Sequence, residues 1–398
     1  MHLLLISSGP DAFGGVETLI ARMAGWLIAH GHTTTLLCRR KKESLNFMPN
    51  GLRILEIGKA FDLMCLPRTV LQIWADLKEP EPDVIKCFEL ESAWVGTVLS
   101  RRLSGRPRVL YGCYIPHWET HRPNPLRLVK QLVFERNMRQ CIPNANRLFM
   151  NPYQVQILKR RFGNKHDANV CPLPVDGNRF KNIQRSPARG RIVSVGRLDP
   201  MKEYNLYMVD IIGQLRAKGM NVTWRVYGDG EFRSAMQQRI STLGLANAIS
   251  LEGPLPYAEF AKPMSEAYIF VGMGTALVEA AFCRVPNVCA ICFDSKGITY
   301  GSLADLPFAN VGECEPGVLQ FSVQGRIEKL LELSAEAYEA ESRRQLGAAQ
   351  IFDVDKQMHK FLDIARSAHP VGPAGGLEVG YTLYRNARRI VDACAGRF

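Results

Sequence analysis

Two cations five residues apart follow one apolar run: in RIVSVGRLDPMK, Arg197 and Lys202 come directly after a stretch that reads as a strand. A guanidinium is a planar fork and an ammonium is a compact point charge, and together they suit the oxygens of a diphosphate. Further on, YIFVGMGTALVEAA runs an apolar strand into Gly272 and Gly274, and a helix opens near Thr275. A helix start offers unpaired backbone N–H groups and the positive end of its dipole, and glycine lets that backbone approach a ligand closely. Glu279 sits one turn into this helix, where a carboxylate can accept hydrogen bonds from both hydroxyls of a ribose. Cations, glycine-rich helix start and single carboxylate are the parts needed to hold a nucleoside diphosphate.

These residues need a scaffold that brings loop ends together. The second half of the chain alternates strands (RIVSVG, TWRVYG, AISLEG, AYIFVG, VPNVCAICF) with helices (NLYMVDIIGQLRAKG, EFRSAMQQRISTLG, YAEFAKPMSEA, ALVEAAFC). Such alternation predicts a parallel sheet covered on both faces, with ligands at the carboxyl ends of its strands. Arg197 and Lys202, Gly228 and Gly230, Gly253, and Gly274 with Thr275, Ala276 and Leu277 all follow such ends. A lone Gly-Asp-Gly says little; four loops in this order say more. The first half repeats the architecture, from HLLLISS through TTTLLCR, RILEIG, DVIKCF, RVLYGCYI and RLFMNP. The predicted organisation is therefore a first Rossmann-like domain at 1–183 and a linker at 184–190 in the aperiodic FKNIQRSPARGR. A second Rossmann-like domain follows at 191–368, then a break and a basic helix at 369–398.

Composition narrows the class. A chain of 398 residues with 46% hydrophobic and 22% charged residues fits a two-domain globular enzyme. The start MHLLLISSGP reads as a strand, not a signal peptide, and no apolar run approaches the ~20 residues of a spanning helix. The 11 cysteines show no paired zinc spacing, only a lone C-x-x-C at Cys289 and Cys292, which fits reduced thiols and a cytoplasmic location. The net charge of +12 is lopsided: residues 1–185 hold 27 Lys and Arg against 15 Asp and Glu, and residues 186–398 hold 23 of each. Charge confined to one half predicts one anionic partner for that half.

The stretches VGRLDPMKEYN, VYGDGEFR, ISLEGPLP and FVGMGTALVEAAFCRVP resemble, in order and spacing, the donor-binding domain of the family-4, GT-B-fold retaining glycosyltransferases. GGVETLIARMAGWLIAHGH and NRLFMNPYQVQILKRRFG resemble that family's first loop with its helix and its segment before the linker, so the likeness spans roughly 1–365. The resemblance implies two Rossmann-like domains facing across a cleft. It assigns Arg197 and Lys202 to the donor diphosphate and its departure, Glu279 to the ribose, and Gly14 and Gly15 to the first loop near donor and acceptor. His117, in YIPHWE, falls where members place a histidine near the sugar. The chain departs from the family at one position: the first glutamate of its E-x7-E motif would fall at 271, where this chain has Val271. The sugar contact then falls to backbone groups of Gly274 to Leu277, or the donor is unusual, or activity is lost.

The resemblance further implies transfer of a sugar from a UDP- or GDP-sugar with retention, the leaving phosphate taking the acceptor's proton, and no metal or other cofactor. The acceptor side would be the basic first half, with RRKK at 39–42, RRLSGRPR at 101–108 and a basic helix at 126–139. That fits a glycan or pyrophosphoryl-lipid acceptor at the inner face of the cytoplasmic membrane, in surface polysaccharide or lipopolysaccharide assembly. The final helix, 381–395, would cross back to the first domain. A nucleotide-sugar epimerase on the same fold needs acid and base carboxylates that the sequence does not single out. A donor-binding protein without activity fits Val271. A nucleic-acid binder fits the charge, but no stacking aromatics are interleaved with it.

Overall fold

The computed structural model describes residues 1–8, 14–39, 47–64, 66–114, 134–162 and 169–373. The chain divides into two compact units, Met1–Pro172 with Gln357–Phe398, and Leu173–Lys356.

The first unit is built on seven strands: β1 (His2–Ser7), β2 (Thr33–Cys38), β3 (Arg53–Glu56), β4 (Val84–Cys87), β5 (Arg108–Cys113), β6 (Arg147–Phe149) and β7 (Asn169–Val170). They lie in the order β3-β2-β1-β4-β5-β6-β7, all parallel. A parallel sheet covered on both faces needs apolar residues without alternation. HLLLIS supplies them: Leu3, Leu4, Leu5 and Ile6 are all fully buried. Helices Gly15–Ala29 and Leu90–Arg102 follow β1 and β4. Leu4, Ile6, Ile85, Val109, Trp94 and Phe134 meet in one core.

Residues from Gln357 onward return to this unit. Asn146 joins it to this returning segment twice, its Nδ2 donating to the His369 carbonyl at 2.8 Å and its Oδ1 accepting from the His369 N–H at 2.9 Å. The Gly372 N–H donates to the Cys141 carbonyl at 2.7 Å. The helix expected at 381–395 lies outside the described residues.

The second unit carries β8 (Arg191–Val195), β9 (Thr223–Tyr227), β10 (Ile249–Gly253), β11 (Ile269–Gly272) and β12 (Asn287–Cys289) in the parallel order β10-β9-β8-β11-β12. A small antiparallel pair, β13 (Ile298–Thr299) and β14 (Phe321–Ser322), stands apart from it, and the sequence pattern did not announce it. A buried polar chain runs across the sheet: Trp224 Nε1 donates to Ser194 Oγ at 2.9 Å, which donates to the Val271 carbonyl at 2.6 Å. Each buried polar atom in that chain has its partner, as burial requires.

The boundary lies earlier than the linker expected at 184–190. The Val175 N–H donates to the Phe352 carbonyl at 2.7 Å, and Val175 and Phe180 pack into the second unit's core. The linker segment itself is fastened to the second unit, with Ser186 N–H on the Ser265 carbonyl at 2.9 Å and Ala188 N–H on the Glu266 carbonyl at 3.0 Å. The return to the first unit falls at Gln357, inside the helix Val354–Ser367, and not at a break after 368. Among the described residues no helix is long and apolar enough to cross a membrane. Nine cysteines are described, all as free thiols, and seven of them are buried.

One core position breaks the apolar rule. Lys86, on β4 between Leu5 and Leu110, is fully buried, and its Nζ has no hydrogen-bond partner among the described residues. The rings of Phe88 and Tyr114 lie 5.2 and 4.8 Å from it. Burial pulls its pKa from 10.5 down to about 8. A lysine harder to protonate in the folded state destabilises the fold at every pH where the unfolded chain carries the charge. The penalty is full below pH 8 and fades as pH rises to 10.5. Replacing Lys86→Met is expected to raise the urea-unfolding free energy at pH 7, by at most about 3 kcal/mol. The gain should shrink at pH 9.5, and a loss of stability at pH 7 would contradict the account.

Candidate functional site

In the second sheet the strand order reverses between β8 and β11, because β9 and β10 continue to one side of β8 and β12 to the other. At such a switch point the loops leaving adjacent strands part and open a crevice at their carboxyl ends. The loops leaving β8 and β11 carry Arg197 with Lys202, and Gly274 with Thr275.

The β8 loop is held by its neighbours' backbones. Gly196 N–H donates to the Tyr227 carbonyl and Leu198 N–H to the Asp229 carbonyl, each at 2.9 Å. Phe232 N–H donates back to the Leu198 carbonyl at 3.0 Å, and Gly228 N–H to the Gly253 carbonyl at 2.7 Å. These approaches leave no room for side chains. A Cβ on Gly228 would fall on the Gly196 carbonyl oxygen, and one on Gly230 on the Leu198 carbonyl oxygen. Gly228 and Gly230 therefore have a packing duty: they let three loops interlock. A Cβ on Gly253 would meet nothing within 4 Å, but its φ of +83° favours glycine all the same.

Arg197 leaves this strap half-exposed and pairs through Nη2 with Asp199 Oδ2 at 3.2 Å. Lys202 ends the 3-10 turn Pro200–Lys202, and its Nζ lies where a Cβ on Gly196 would be. Burial lowers the Lys202 pKa to about 8; Asp199 opposes the shift and Arg197 adds to it. Asn205 Nδ2 reaches the Lys202 carbonyl at 2.9 Å and the Arg197 carbonyl at 3.4 Å, so one amide staples both ends of the cationic loop. The loop after β12 joins through Phe293 N–H on the Met201 carbonyl at 3.0 Å.

On the β11 side, Gly274 caps the helix Thr275–Phe282 with φ +73°, and no side chain caps that helix. A Cβ on Gly274 would meet nothing within 4 Å, so the ground in front of the helix start is open. The Gly274 N–H is used, by the Val311 carbonyl at 2.6 Å. The helix start behind it remains a place for an anion. Thr275 and Ala276 are half-buried there, whereas the Leu277 side chain is fully buried in the core, so only its backbone can serve a ligand. Glu279 is 3% exposed, a carboxylate held inside the unit and not on a solvated helix face. Its charge is one reason, after burial, that the Cys283 thiol is raised. Val271 lies within β11, paired with Val288 and packed in the core, with its carbonyl taken by Ser194. Position 271 is thus a strand core position here.

In the first unit the switch point falls between β1 and β4. Gly14 is the extended N-cap of the helix Gly15–Ala29, and a Cβ on Gly15 would meet nothing within 4 Å. His117 lies outside the described residues. The sequence reading missed Glu89, just past β4, which accepts from Ser7 Oγ at 2.8 Å and from Ser8 N–H at 3.1 Å. Burial raises its pKa to about 6 against those hydrogen bonds. Its signal was present in ELES, since Glu89 and Ser92 form a capping box. The basic elements expected on this unit are partly committed: Arg39 pairs with Asp62 at 2.6 Å and Glu91 at 2.8 Å, and Arg101 donates to the Gly372 carbonyl.

Residues 13–179 match the family model described as Glycosyltransferase Family 4. No curated protein matches the chain. Among solved structures, it is similar to a sucrose-phosphate synthase from Thermosynechococcus elongatus, at 16% identity and a TM-score of 0.69, over 92% of this chain and 98% of that one. It is similar to the Anabaena protein HepE, solved in complex with UDP and glucose, at 17% identity and a TM-score of 0.65, over 92% and 99%. It is also similar to WaaG, described as a glycosyltransferase involved in lipopolysaccharide biosynthesis, at 13% identity and a TM-score of 0.62, over 91% and 99%.

The interlocked loops make a direct test. Gly228→Ala is expected to cost about 1–3 kcal/mol of stability, because the Gly196 carbonyl has nowhere to go. Gly15→Ala should leave the urea midpoint unchanged within error. Equal effects of the two substitutions would refute the packing role of Gly228.

Proposed function

We propose that this chain, a glycosyltransferase by its family 4 domain and its two-domain GT-B fold, moves a sugar from a nucleoside diphosphate sugar to a glycan or lipid-linked acceptor with retention at the anomeric carbon. One observation carries the reading: Arg197, Lys202 and the open start of the helix Thr275–Phe282 lie at the carboxyl ends of adjacent strands at a switch point. Two cations and a helix dipole at one crevice stabilise the charge that grows on a departing diphosphate. The leaving phosphate takes the acceptor's proton on the face it departs from, so no pair of carboxylates is needed. The cations do the charge neutralisation that a metal does elsewhere. Glu279 takes the ribose, and backbone groups from Gly274 to Leu277 take the sugar in place of the residue that Val271 replaces. Gly14 and Gly15 serve the donor phosphates and the acceptor, and His117 serves the sugar and the acceptor.

HepE, solved with UDP and glucose, and WaaG, of lipopolysaccharide biosynthesis, support a UDP-sugar donor and a role in surface polysaccharide assembly. The basic first half fits a pyrophosphoryl-lipid acceptor, the protein working at the inner face of the cytoplasmic membrane.

Incubation with a panel of UDP- and GDP-sugars should release diphosphate from one of them. Lys202→Ala should slow that release by at least 100-fold, about 3 kcal/mol of transition-state stabilisation, with an unchanged circular dichroism spectrum. A near-wild-type rate would remove Lys202 from the site. Arg102 and Arg106 are exposed; changing both to Gln should weaken binding to vesicles containing anionic lipid, and unchanged binding would remove the membrane from the proposal.

A further inference from the structure

The hydrogen-bond ladder between β1 and β4 stops short of the first unit's crevice. Ile6 pairs with Cys87, and the Phe88 N–H reaches the Ile6 carbonyl at 3.3 Å. Ser7 still pairs with Cys38 of β2 but has no register partner on β4. Past that point a side chain takes over. Glu89 Oε1 accepts from Ser7 Oγ at 2.8 Å, and its Oε2 accepts from the Ser8 N–H at 3.1 Å. The same carboxylate accepts the Ser92 N–H in the first turn of the helix Leu90–Arg102, while Ser92 Oγ accepts the Glu89 N–H at 2.9 Å. One carboxylate thus joins the end of a strand to the helix that follows its neighbour, across the point where their loops part.

We propose that Glu89 is a positioning residue of the first unit, its ionised carboxylate holding the end of β1 against the start of the helix Leu90–Arg102 so that the crevice between them keeps its shape. The inference rests on the reading of that crevice as the place where Gly14 and Gly15 serve donor phosphates and acceptor. A hydrogen bond to an ionised acceptor is roughly twice as strong as one between neutral groups. The anion therefore holds the tie, and the protonated acid slackens it. Burial is the largest influence on Glu89 and raises its pKa to about 6, against the bonds from Ser7, Ser8 and Ser92. Glu17, in the first turn of the helix Gly15–Ala29, adds to the rise. Lys86 on β4 feels the Glu89 charge and titrates higher, at about 8. Cys87, Tyr111 and Tyr114 feel it too, and burial keeps all three neutral. The tie is at full strength well above pH 6 and weakens as pH falls through it.

A helix cap alone needs no reach to β1, and aspartate is among the best capping residues. Glu89→Asp keeps the cap and the charge, but its shorter side chain draws the carboxylate back from Ser7 and Ser8. The first measurement needs no ligand. Serine is labelled with nitrogen-15, the Ser8 amide is assigned from the spectrum of Ser8→Ala, and its shift is followed from pH 5 to 7.5. In wild type it is expected to titrate with a midpoint near pH 6, and in Glu89→Gln and Glu89→Asp to stay flat. A wild-type amide that does not move, or one that moves equally in Glu89→Gln, overturns the proposal. The second measurement is diphosphate release from whichever UDP- or GDP-sugar the wild-type protein turns over. Glu89→Gln should be about 10-fold slower than wild type at pH 8, and the deficit should close as pH falls to 5. A deficit of one factor at every pH overturns the role of the charge in favour of bracing. A wild-type rate for Glu89→Asp at pH 8 overturns the tie to β1 in favour of a cap. A wild-type protein that turns over none of these sugars overturns the transferase reading, and the Ser8 titration still decides the tie.

Discussion

Everything at the second unit's crevice depends on backbone packed against backbone. The loops leaving β8, β9 and β10 exchange main-chain hydrogen bonds at Gly196, Leu198 and Gly228. Such approaches exist only where no Cβ intervenes, so glycine is required at 228 and 230 for reasons of volume. The loop carrying Arg197 and Lys202 is consequently rigid before any ligand arrives. A cationic site held this way has no reorganisation to complete at the moment charge develops on a leaving group. Asn205 extends the same logic from backbone to side chain, fixing two carbonyls of the strap with one amide.

Two desolvated lysines, one buried and one half-buried, show what a neighbour does to a charge out of water. Burial brings Lys86 and Lys202 to about the same pKa, near 8. Lys86 has two aromatic faces, buried thiols and the charge of Glu89 about it, and no hydrogen-bond partner for its amine among the described residues. Lys202 stands at the open end of a sheet with a carboxylate and a guanidinium on its own loop. The first is a cost within a core; the second is a charge poised where an anion can repay its desolvation.

Much of this was legible in the sequence. Apolar runs of four to six residues separated by helical periods announced two parallel sheets, and the strand ends fell where the pattern put them. Arg197, Lys202 and Gly274 stand at those ends as expected. The domain boundary was not legible, because FKNIQRSPARGR looks like a linker by composition while its backbone is hydrogen-bonded onto the second unit at Ser265 and Glu266. Gly228 and Gly230 have a packing duty that the sequence did not announce, since a glycine's sequence context does not say which backbone it approaches. Glu89 and Asp199 went unnoticed because each gains its meaning from partners on another strand or across a turn.

By itself the sequence determined the architecture and the chemistry on offer, because hydrophobic period and strand-end composition are local properties that burial enforces everywhere. Only the tertiary structure decided which groups serve. It buried Glu279 and the Leu277 side chain, put Val271 inside a strand with its carbonyl engaged, and paired Asp199 with Arg197. The physical reason is that burial, desolvation and charge coupling depend on distances through space. Residues far apart in the chain set those distances once the sheet order places β8 beside β11.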